Sequence, residues 1–199
     1  MRYVRISTRS FPDSSRSLLA ALALLAAVLL MAVNAPAARA QAAGLDNTWA
    51  CTVPAGYTYD RVSSQLNVCG SGFHTSYHLR APQDNIWVCS VYSGYTYDQA
   101  SSQLNVCSTS GFATSYRMRA PQDNLWACTL PNWNLTYDRV SSQLNVCSTS
   151  GFATSYRLRS PANGLWACTV PSGWTYDQTS NQLNVCSTSG FATSYRLRG

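Results

Sequence analysis

Pairs of arginines two residues apart are the sharpest chemical pattern in this sequence. Guanidinium groups at alternate positions of a strand lie on one face, where they can grip a carboxylate or a phosphate, as on acidic polysaccharide or lipid head groups. Cross-strand pairing with Asp would instead neutralise them within the protein. The pairs are Arg117 and Arg119, Arg157 and Arg159, and Arg196 and Arg198, with His78 and Arg80 at the corresponding earlier place.

A Tyr followed directly by Asp is the second recurring pattern. The ring offers a flat apolar surface and the carboxylate accepts hydrogen bonds, a combination that suits a sugar ring. A Tyr-containing strand followed by an Asp that caps a turn has the same sequence. Together with the arginine pairs, these are the residues that we predict to bind a ligand. They are Tyr59 and Asp60, Tyr97 and Asp98, Tyr137 and Asp138, and Tyr176 and Asp177.

Residues for catalysis or metal binding are scarce. The only His residues are His74 and His78, Glu and Lys are absent, and no G-x-S-x-G motif surrounds any of the many Ser residues. A nucleophile needs a base within reach, and a metal needs several ligands. The sequence therefore predicts no catalytic residue, no metal site and no cofactor, and it favours a protein that is not an enzyme.

Eight Cys residues form four pairs whose members stand 18 or 19 positions apart. An even number in an exported chain indicates a disulfide framework, and the spacing is unlike the close pairs of zinc sites. Two schemes respect the repetition: bridges within each pair, or bridges between successive pairs that close a ring. We favour the first, in which each short loop contributes about 3 kcal/mol. The pairs are Cys51 and Cys69, Cys89 and Cys107, Cys128 and Cys147, and Cys168 and Cys186.

An internal repeat underlies all of these patterns. The segment from Ser101 to Arg117 recurs residue for residue from Ser141 to Arg157, and related segments precede and follow. A period of about 39 residues indicates one supersecondary unit multiplied. A unit this small is marginal alone, so the copies are expected to pack together. The copies, called repeats 1 to 4, occupy 44–83, 84–122, 123–162 and 163–199.

Repeat 4 shows the expected elements most clearly. Residues Leu165 to Val170 suggest a strand before a turn, and the polar run Gln178 to Gln182 suggests a loop. From Phe191 to Arg198 the side chains alternate with period two, which predicts a half-buried strand with Phe on the core face and Arg on the other. The same strand should bury Phe112 and Phe152. The Trp before each first Cys is also expected in the core, at Trp49, Trp87, Trp126 and Trp166.

The predicted fold class is all-β, because nothing after residue 40 has helical periodicity. We expect four tandem disulfide-containing repeats, with three or four short strands each, packed into one pseudo-symmetric domain or two two-repeat domains. A closed ring, a pair of domains and a linear stack would each bury the strand faces. The sequence does not choose among them.

The first 40 residues have the composition of a signal peptide. Four Arg precede an apolar run from Leu18 to Val33, and Ala38 and Ala40 fit a cleavage pattern. The run is shorter than the ~20 residues of a spanning helix, so we expect no stable membrane insertion after cleavage. Removal leaves nine Arg against seven Asp, a balance of +2 that gives no reason to expect nucleic acid as a partner. The predicted location is secreted or periplasmic.

These observations favour an exported, multivalent, lectin-like protein whose four weak sites bind glycans or other cell-surface polymers. The alternative is a secreted structural or envelope interaction protein without a small-molecule ligand. A secreted toxin or enzyme inhibitor is a lesser alternative, because it would need one distinctive loop. Only residues 131–135, and Tyr92 where the other repeats have Pro, qualify for that role.

Overall fold

The computed structural model describes residues 44–131 and 135–199, in which all regular structure is β-strand. The predicted signal peptide lies outside them. Within these ranges no helix is long and apolar enough to cross a membrane. Each repeat has one short and two long strands: β1 Trp49–Ala50, β2 Thr58–Leu66, β3 Phe73–Arg80, β4 Ile86–Val88, β5 Thr96–Leu104, β6 Phe112–Arg119, β7 Trp126–Ala127, β8 Thr136–Leu144, β9 Phe152–Arg159, β10 Trp166–Ala167, β11 Thr175–Leu183 and β12 Phe191–Arg198.

Every repeat folds into a three-stranded antiparallel sheet with its last strand in the middle. The two long strands form a hairpin, and the short strand pairs with the other edge of the central strand. The strand orders are β1-β3-β2, β4-β6-β5, β7-β9-β8 and β10-β12-β11. These four equivalent sheets confirm the predicted all-β repeat architecture.

The first long strand continues through the polar run that we predicted to be a loop. In repeat 4, β11 extends from Thr175 to Leu183, and its residues from Gln178 onward pair one by one with β12. The prediction was wrong because it rested on the polarity of the side chains. Pairing with β12 satisfies the backbone, while most of the polar side chains of β11 remain in water.

A β-bulge interrupts each hairpin at the Asp of the Tyr-Asp pair. In repeat 3, Tyr137 lies opposite Leu158 and Arg139 lies opposite Arg157, which leaves Asp138 as the extra residue of the strand. Such a residue bends the strand and redirects its own side chain. The same register shift follows Tyr59, Tyr97 and Tyr176.

An Asn in the left-handed conformation begins the loop at the tip of each hairpin. Asn105, with a φ of 55°, donates its N–H to the Gly111 carbonyl at 2.9 Å and accepts the Gly111 N–H on Oδ1 at 3.1 Å. Asn is among the few residues that tolerate this φ, because its side chain bonds locally. In repeat 1 the loop closes between Asn67 and Gly72 and is one residue shorter. The length difference between repeat 1 and the others therefore falls in a loop.

A disulfide in each repeat joins this loop to the residue that follows the short strand. The bridges link Cys51 to Cys69, Cys89 to Cys107, Cys128 to Cys147, and Cys168 to Cys186. This is the within-repeat scheme that we favoured. Each bridge closes a loop of 18 or 19 residues, which the chain-entropy estimate values at about 3 kcal/mol.

At the inner end of the central strand the two faces are as the alternation predicted, but the Ser on the arginine face is buried as well: Ser155 is 2% exposed and donates to the Ser141 carbonyl at 3.2 Å. In repeat 3, Leu158 is 0% exposed and packs with Leu125 and Ala127, while partly buried Leu135 covers the cluster. The residues at the position equivalent to Leu158 in the other three repeats are equally buried. They are Leu79, Met118 and Leu197.

The Phe at the start of the same strand is exposed, so the predicted burial of Phe112 and Phe152 was wrong. Their exposed fractions are 72% and 73%, and those of Phe73 and Phe191 are 72% and 68%. Leu135, just before the first long strand, packs on the core cluster that contains Leu158, whereas the Phe at the start of the central strand is left exposed. Alternation thus gave the correct face but not the extent of the core along it.

The Trp residues before the first Cys are not in the core either. Trp126 lies opposite Arg157 in the sheet and is partly exposed, and Trp49 is 43% exposed. The short strand of repeat 3 has only two residues, and its Ala127 occupies the core face with 0% exposure. Because successive side chains point to opposite faces, the adjacent Trp must lie on the arginine face.

Each repeat packs against the next through the outer edge of its first long strand. Between repeats 2 and 3, Cys128 N–H donates to the Tyr97 carbonyl at 2.7 Å, and Ala100 N–H donates to the Val146 carbonyl at 2.7 Å. The disulfide from Cys128 to Cys147 holds both contacting segments of repeat 3 together. Equivalent backbone bonds join repeats 1 and 2 and repeats 3 and 4.

The repeats form a linear stack rather than a closed ring. In repeats 1 to 3, the next repeat buries both the first residue of the long strand and the Val or Ala four positions later. In repeat 4 the corresponding edge, from Thr175 to Thr179, is exposed throughout. Ring closure would have covered this edge with repeat 1.

Candidate functional site

The predicted arginine pairs bind the predicted aspartates. In repeat 3, Arg157 donates two hydrogen bonds of 2.7 Å to the Asp138 carboxylate, and Arg159 Nη1 donates a third at 2.6 Å. Arg159 Nε also donates to Asp123 at 3.0 Å, and the Ser160 N–H donates to the same oxygen at 2.8 Å. Positive and negative charges thus alternate across this face. We call these two arginines and two aspartates, and their equivalents in the other repeats, an Arg–Asp cluster.

Repeat 2 forms the same cluster. Arg119 joins two carboxylates, with Nε 3.0 Å from Asp84 and Nη1 2.6 Å from Asp98. Arg117 Nε donates to the other oxygen of Asp98 at 2.7 Å. The bulge is what makes this possible, because it places one carboxylate between two arginines of the neighbouring strand.

Repeat 1 has His78 in place of the first arginine. Its Nδ1 lies 2.7 Å from Asp60 Oδ1, and its ring tilts against Trp49 with 5.2 Å between centroids. Arg80 Nη1 donates to the second oxygen of Asp60 at 2.8 Å, and its Nε lies 3.4 Å from Asp46. His78 therefore takes the place of the first arginine in the Arg–Asp cluster of repeat 1.

Repeat 4 has a reduced cluster. Asn163 replaces the first Asp, so Arg196 and Arg198 share Asp177 alone. Arg198 and Asp177 have side chains 48% and 31% exposed, whereas the Asp138 side chain in repeat 3 is only 9% exposed. This cluster is therefore more open to water than those of the other repeats.

The clusters change the pKa values of their members. Burial alone would raise the pKa of Asp138, but hydrogen bonds from Arg157 and Arg159 outweigh it and hold that pKa below its ordinary 3.8. The Ser160 N–H and then Arg159 lower the pKa of Asp123 in the same way. Hydrogen bonding to Asp138 raises the pKa of both arginines. The cluster is therefore fully ionised at neutral pH.

These clusters leave little free charge for a ligand. An anion that approached Arg157 and Arg159 would have to displace a carboxylate that already makes three short bonds to them. Arg61 and Arg139 differ, because both are exposed and have no ion-pair partner in the part of the chain that the structure describes. Repeats 2 and 4 have Gln at that position, so the free charge is not repeated.

The Tyr of each Tyr-Asp pair lies on the face opposite its Asp. Tyr97 packs edge-on against Tyr116 with centroids 4.9 Å apart, and its hydroxyl lies 3.4 Å from the Cys147 carbonyl of the next repeat. Burial, with the neighbouring Tyr, raises the pKa of the tyrosines of repeats 1 to 3. Adjacent Tyr and Asp residues thus do not form one sugar-binding surface there. The tyrosines concerned are Tyr59, Tyr97 and Tyr137. Tyr176 alone is open, at 52% exposure.

The most exposed large apolar side chains form a motif that the sequence analysis missed. Near the tip of each hairpin a Leu and a Phe lie opposite each other, as Leu104 (55% exposed) and Phe112 (72%) do in repeat 2. Two positions inward on the same face stand two hydroxyl side chains, Ser102 and Thr114. We call these the Leu–Phe pairs. The others are Leu66 with Phe73, Leu144 with Phe152, and Leu183 with Phe191.

One sequence signal could have located these pairs. In repeat 2, Leu104 directly precedes the Asn that begins the tip loop, and Phe112 directly follows the Gly that ends it. Residues at equal distance from a hairpin loop lie opposite each other. The Asn and Gly of the loop therefore indicate in the sequence that the Leu–Phe pair lies at the tip of the hairpin, far from the residues that cover the core.

Metal ligands do not gather anywhere in the described ranges, where no group of three or more His, Cys, Asp or Glu residues could hold an ion. All eight Cys are bridged. His74, the second histidine, has Nε2 2.9 Å from the Ser71 carbonyl. Both histidines thus have local structural partners.

A surface depression of about 470 Å³ lies where the turns of repeats 2 and 3 meet. Tyr92 and Tyr95 line it, with ring centroids 6.2 Å apart, together with Leu130 and Pro131. Tyr92 is thus part of this turn surface. Residues 132–134 of the distinctive loop lie outside the described chain, so its proposed toxin or inhibitor role rests on sequence.

Comparison of the chain with protein-family models, with curated proteins and with solved structures finds no match. The function must therefore be inferred from the residues and their geometry.

Proposed function

We propose that the protein is a multivalent, lectin-like binding protein whose ligand is an extended carbohydrate polymer at a cell surface. One observation carries this proposal: the Phe of each Leu–Phe pair is 68–73% exposed in the same backbone setting four times. Apolar side chains of this size that are left in water and repeated are typical of interaction surfaces. Folding does not account for them, since they lie outside the core.

Each Leu–Phe pair combines the two contacts that a sugar ring needs. In repeat 2, the ring of Phe112 offers a flat face for the CH side of a sugar, while Leu104 widens the apolar platform. The hydroxyls of Ser102 and Thr114, on the same face, can bond the sugar hydroxyls. Repeat 4 keeps the arrangement with Asn181 opposite Thr193.

Repetition favours a polymer over a single sugar. One exposed platform of this kind binds weakly, but a ligand that engages a second platform does so at high effective concentration. Four equivalent platforms in one linear stack suit a chain of similar sugar units. The ligand is more consistent with a neutral than an acidic glycan, because the Arg–Asp clusters are internally neutralised.

The test is binding of the purified protein to a panel of cell-wall and cell-surface polysaccharides, with the Phe residues replaced stepwise. Phe152→Ala alone should weaken polymer binding several-fold. Replacement of all four Phe residues by Ala should reduce binding by about 100-fold or more, because avidity falls with each site lost. Titration with a short oligosaccharide should give about four equivalents per chain, one per repeat.

Phe152→Tyr is the matched control. It keeps the ring and adds only a hydroxyl, so polymer binding should stay within about two-fold of the unchanged protein. A protein that lacks all four Phe rings and still binds its polymer normally would refute the proposal. So would the absence of binding to every glycan on the panel.

A structural protein is the second candidate, favoured by the neutralised Arg–Asp clusters. These clusters and the four disulfides stabilise the stack without offering charge to a ligand. Such a scaffold would show no saturable sugar binding, so the same titration separates the two candidates. Neither candidate requires a catalytic site, and we propose that the protein is not an enzyme.

The four disulfides indicate an oxidising, extracellular type of environment. Together with the predicted signal peptide, they support a secreted or periplasmic location. Mass determination of the amino terminus of the exported protein would test this, with a chain that begins at Gln41 as the expected result.

A further inference from the structure

One junction is built three times within the chain. It includes, besides the two backbone bonds, a hydrogen bond from the Thr that begins the long strand: Thr96 Oγ1 donates to the Thr129 carbonyl at 2.8 Å, and Thr136 Oγ1 donates to the Thr169 carbonyl at 2.8 Å. The two Thr hydroxyls at each of these junctions are also within 2.9 Å and 2.8 Å of each other. Thr58 makes the equivalent bond to Ser90.

The edge of repeat 4 that would make a fourth junction is exposed. We call Thr175, Tyr176, Gln178 and Thr179 the tail face. Thr175 is exposed and its hydroxyl turns back to the Arg198 carbonyl at 3.1 Å. The residues equivalent to Thr175 in the other repeats are at most 2% exposed, at Thr58, Thr96 and Thr136.

The opposite end of the stack is exposed in a complementary way. We call Cys51, Thr52, Val53 and Val68 the head face of repeat 1. Val68 is 59% exposed, whereas its equivalents in repeats 2 to 4 are only partly exposed because the preceding repeat covers them. All four residues of the head face are exposed, and the disulfide at Cys51 holds their two segments together as the equivalent bridge does in each later repeat.

The two faces carry matching backbone groups. By position, the Cys51 N–H corresponds to the junction donor and the Tyr176 carbonyl to its acceptor. The Thr179 N–H and the Val68 carbonyl form the second such pair. Among the backbone bonds outside the sheets in the part of the chain that the structure describes, none involves either N–H or either carbonyl. Thr52 has the same residue type as Thr129 and Thr169, the acceptors at two of the three existing junctions.

We propose that copies of this protein associate head to tail, with the tail face of one chain on the head face of the next. The occupant is a second copy because the interface continues one that the chain already makes three times. Each added copy again exposes a tail face, so the contact is heterologous and generates open-ended oligomers. This inference is independent of the sugar-binding proposal, since the Leu–Phe pairs take no part in it.

The association should depend on concentration. Within the chain, the connecting residues hold successive repeats at high effective concentration, an advantage that separate chains lack. Thr179 also replaces the buried Val62, Ala100 and Val140 of the other junctions. A hydroxyl at that position weakens the contact relative to Val, so the end-to-end junction is expected to be weaker than the internal ones.

Sedimentation velocity of the exported protein, with disulfides intact, tests this proposal across a range of concentrations. The expected result is a series of dimers, trimers and longer species that grows with concentration. Thr179→Val restores the residue of repeats 1 and 3 and should lower the concentration of half-association about ten-fold. A protein that stays monomeric at all concentrations, including as Thr179→Val, would overturn the proposal.

Two variants, each with one of the two faces blocked, test whether the contact is head to tail. Thr179→Pro removes the N–H whose equivalents at Ala100 and Val140 donate to the next repeat, and so blocks the tail, while Val68→Lys places a charge on the exposed head. Each variant alone should form no open series, but a mixture should form 1:1 dimers and nothing longer. Unchanged thermal unfolding would show that both variants fold. If Val68→Lys still forms dimers alone and Thr179→Pro does not, the contact is tail to tail and the proposal is wrong.

Discussion

The two ends of each hairpin differ in almost every physical respect although the same strands form both. At the inner end of repeat 3, Leu158 is fully buried and Asp138 ties two arginines together across the opposite face. At the outer end, Leu144 and Phe152 are 56% and 73% exposed. Residue alternation is the same throughout, so what differs is the cover supplied by other segments.

The difference shows how stability and recognition are divided in the repeat. The inner end has the short strand, the connection that covers the core, and the contact with the next repeat. At the outer end, backbone pairing, the Asn-to-Gly loop bonds, the disulfide at Cys147 and a backbone bond from the preceding repeat hold the tip loop, but the side chains of the Leu–Phe pair stay uncovered. The Leu and Phe side chains are therefore free to vary without loss of the fold, and their constancy in all four repeats calls for a role in binding.

Replacement of one Leu at each end of the hairpin should show the largest difference in the free energy of unfolding between the two ends. Leu158→Ala leaves a cavity in a closed core and should reduce the free energy of unfolding by about 3 kcal/mol. Leu144→Ala, the matched control on the same hairpin, should cost about 0.5 kcal/mol or less, because the side chain is already in water. Urea unfolding under non-reducing conditions measures both. Equal losses would show that the outer end is packed after all.

Acid should weaken the inner end alone. The pKa values of Asp84, Asp123 and Asp138 are lowered in the folded protein, so these carboxylates stabilise it above their ordinary 3.8 and lose that contribution as the pH falls through the folded values. The opposite holds for the partly buried tyrosines Tyr97 and Tyr137: their pKa values are raised in the folded protein, so their contribution to stability is present below 10.0 and lost above it. Thermal unfolding should thus be steadiest between about pH 5 and pH 9. A midpoint that is unchanged at pH 3 would contradict this expectation.

Replacement of a single carboxylate should have a smaller effect on stability, and the size of that effect should depend on how far the carboxylate is buried. Asp138→Asn removes the negative charge and turns one of the two oxygens that accept the three arginine bonds into an NH2 donor. This should cost about 1–2 kcal/mol and should also weaken the loss of stability in acid. Asp177→Asn is the matched change in the open cluster of repeat 4, where water screens the charges, so the loss should be clearly smaller. Chemical denaturation of the two variants decides the order. A larger loss at Asp177 would mean that exposure does not set the strength of these clusters.

The sequence predicted the repeat, the all-β class, the disulfide pairing and the two faces at the inner end of the central strand. Each of these depends on local spacing: the Cys interval closes one short loop, and alternation separates Leu158 from Arg157. The loop predicted at Gln178 to Gln182 failed because strand pairing is a backbone property. The linear stack depends on which edge meets which, and identical repeats carry no signal that distinguishes it from a ring.

The candidate site was less predictable for a related reason. The sequence showed both the arginines and the aspartates, but their pairing depends on a bulge that inserts Asp138 between Arg157 and Arg159. Burial of Phe152 was inferred from alternation, which carries no information about where along a strand the cover ends. Trp126 went to the arginine face because its short strand has only one residue for the core.

The smallest stability effect is expected at Phe152, and it is the one that separates the two regions most sharply. A buried Phe that is cut to Ala costs about 3–5 kcal/mol, whereas Phe152→Ala should change the free energy of unfolding by about 0.5 kcal/mol or less. The same variant should weaken polysaccharide binding several-fold under the sugar-binding proposal. In parallel unfolding and binding measurements, Leu158→Ala should then lose stability, while Phe152→Ala should lose avidity for the polysaccharide. A Phe152→Ala protein that is strongly destabilised would place the ring in the folding of the hairpin, and its exposure would no longer indicate a ligand.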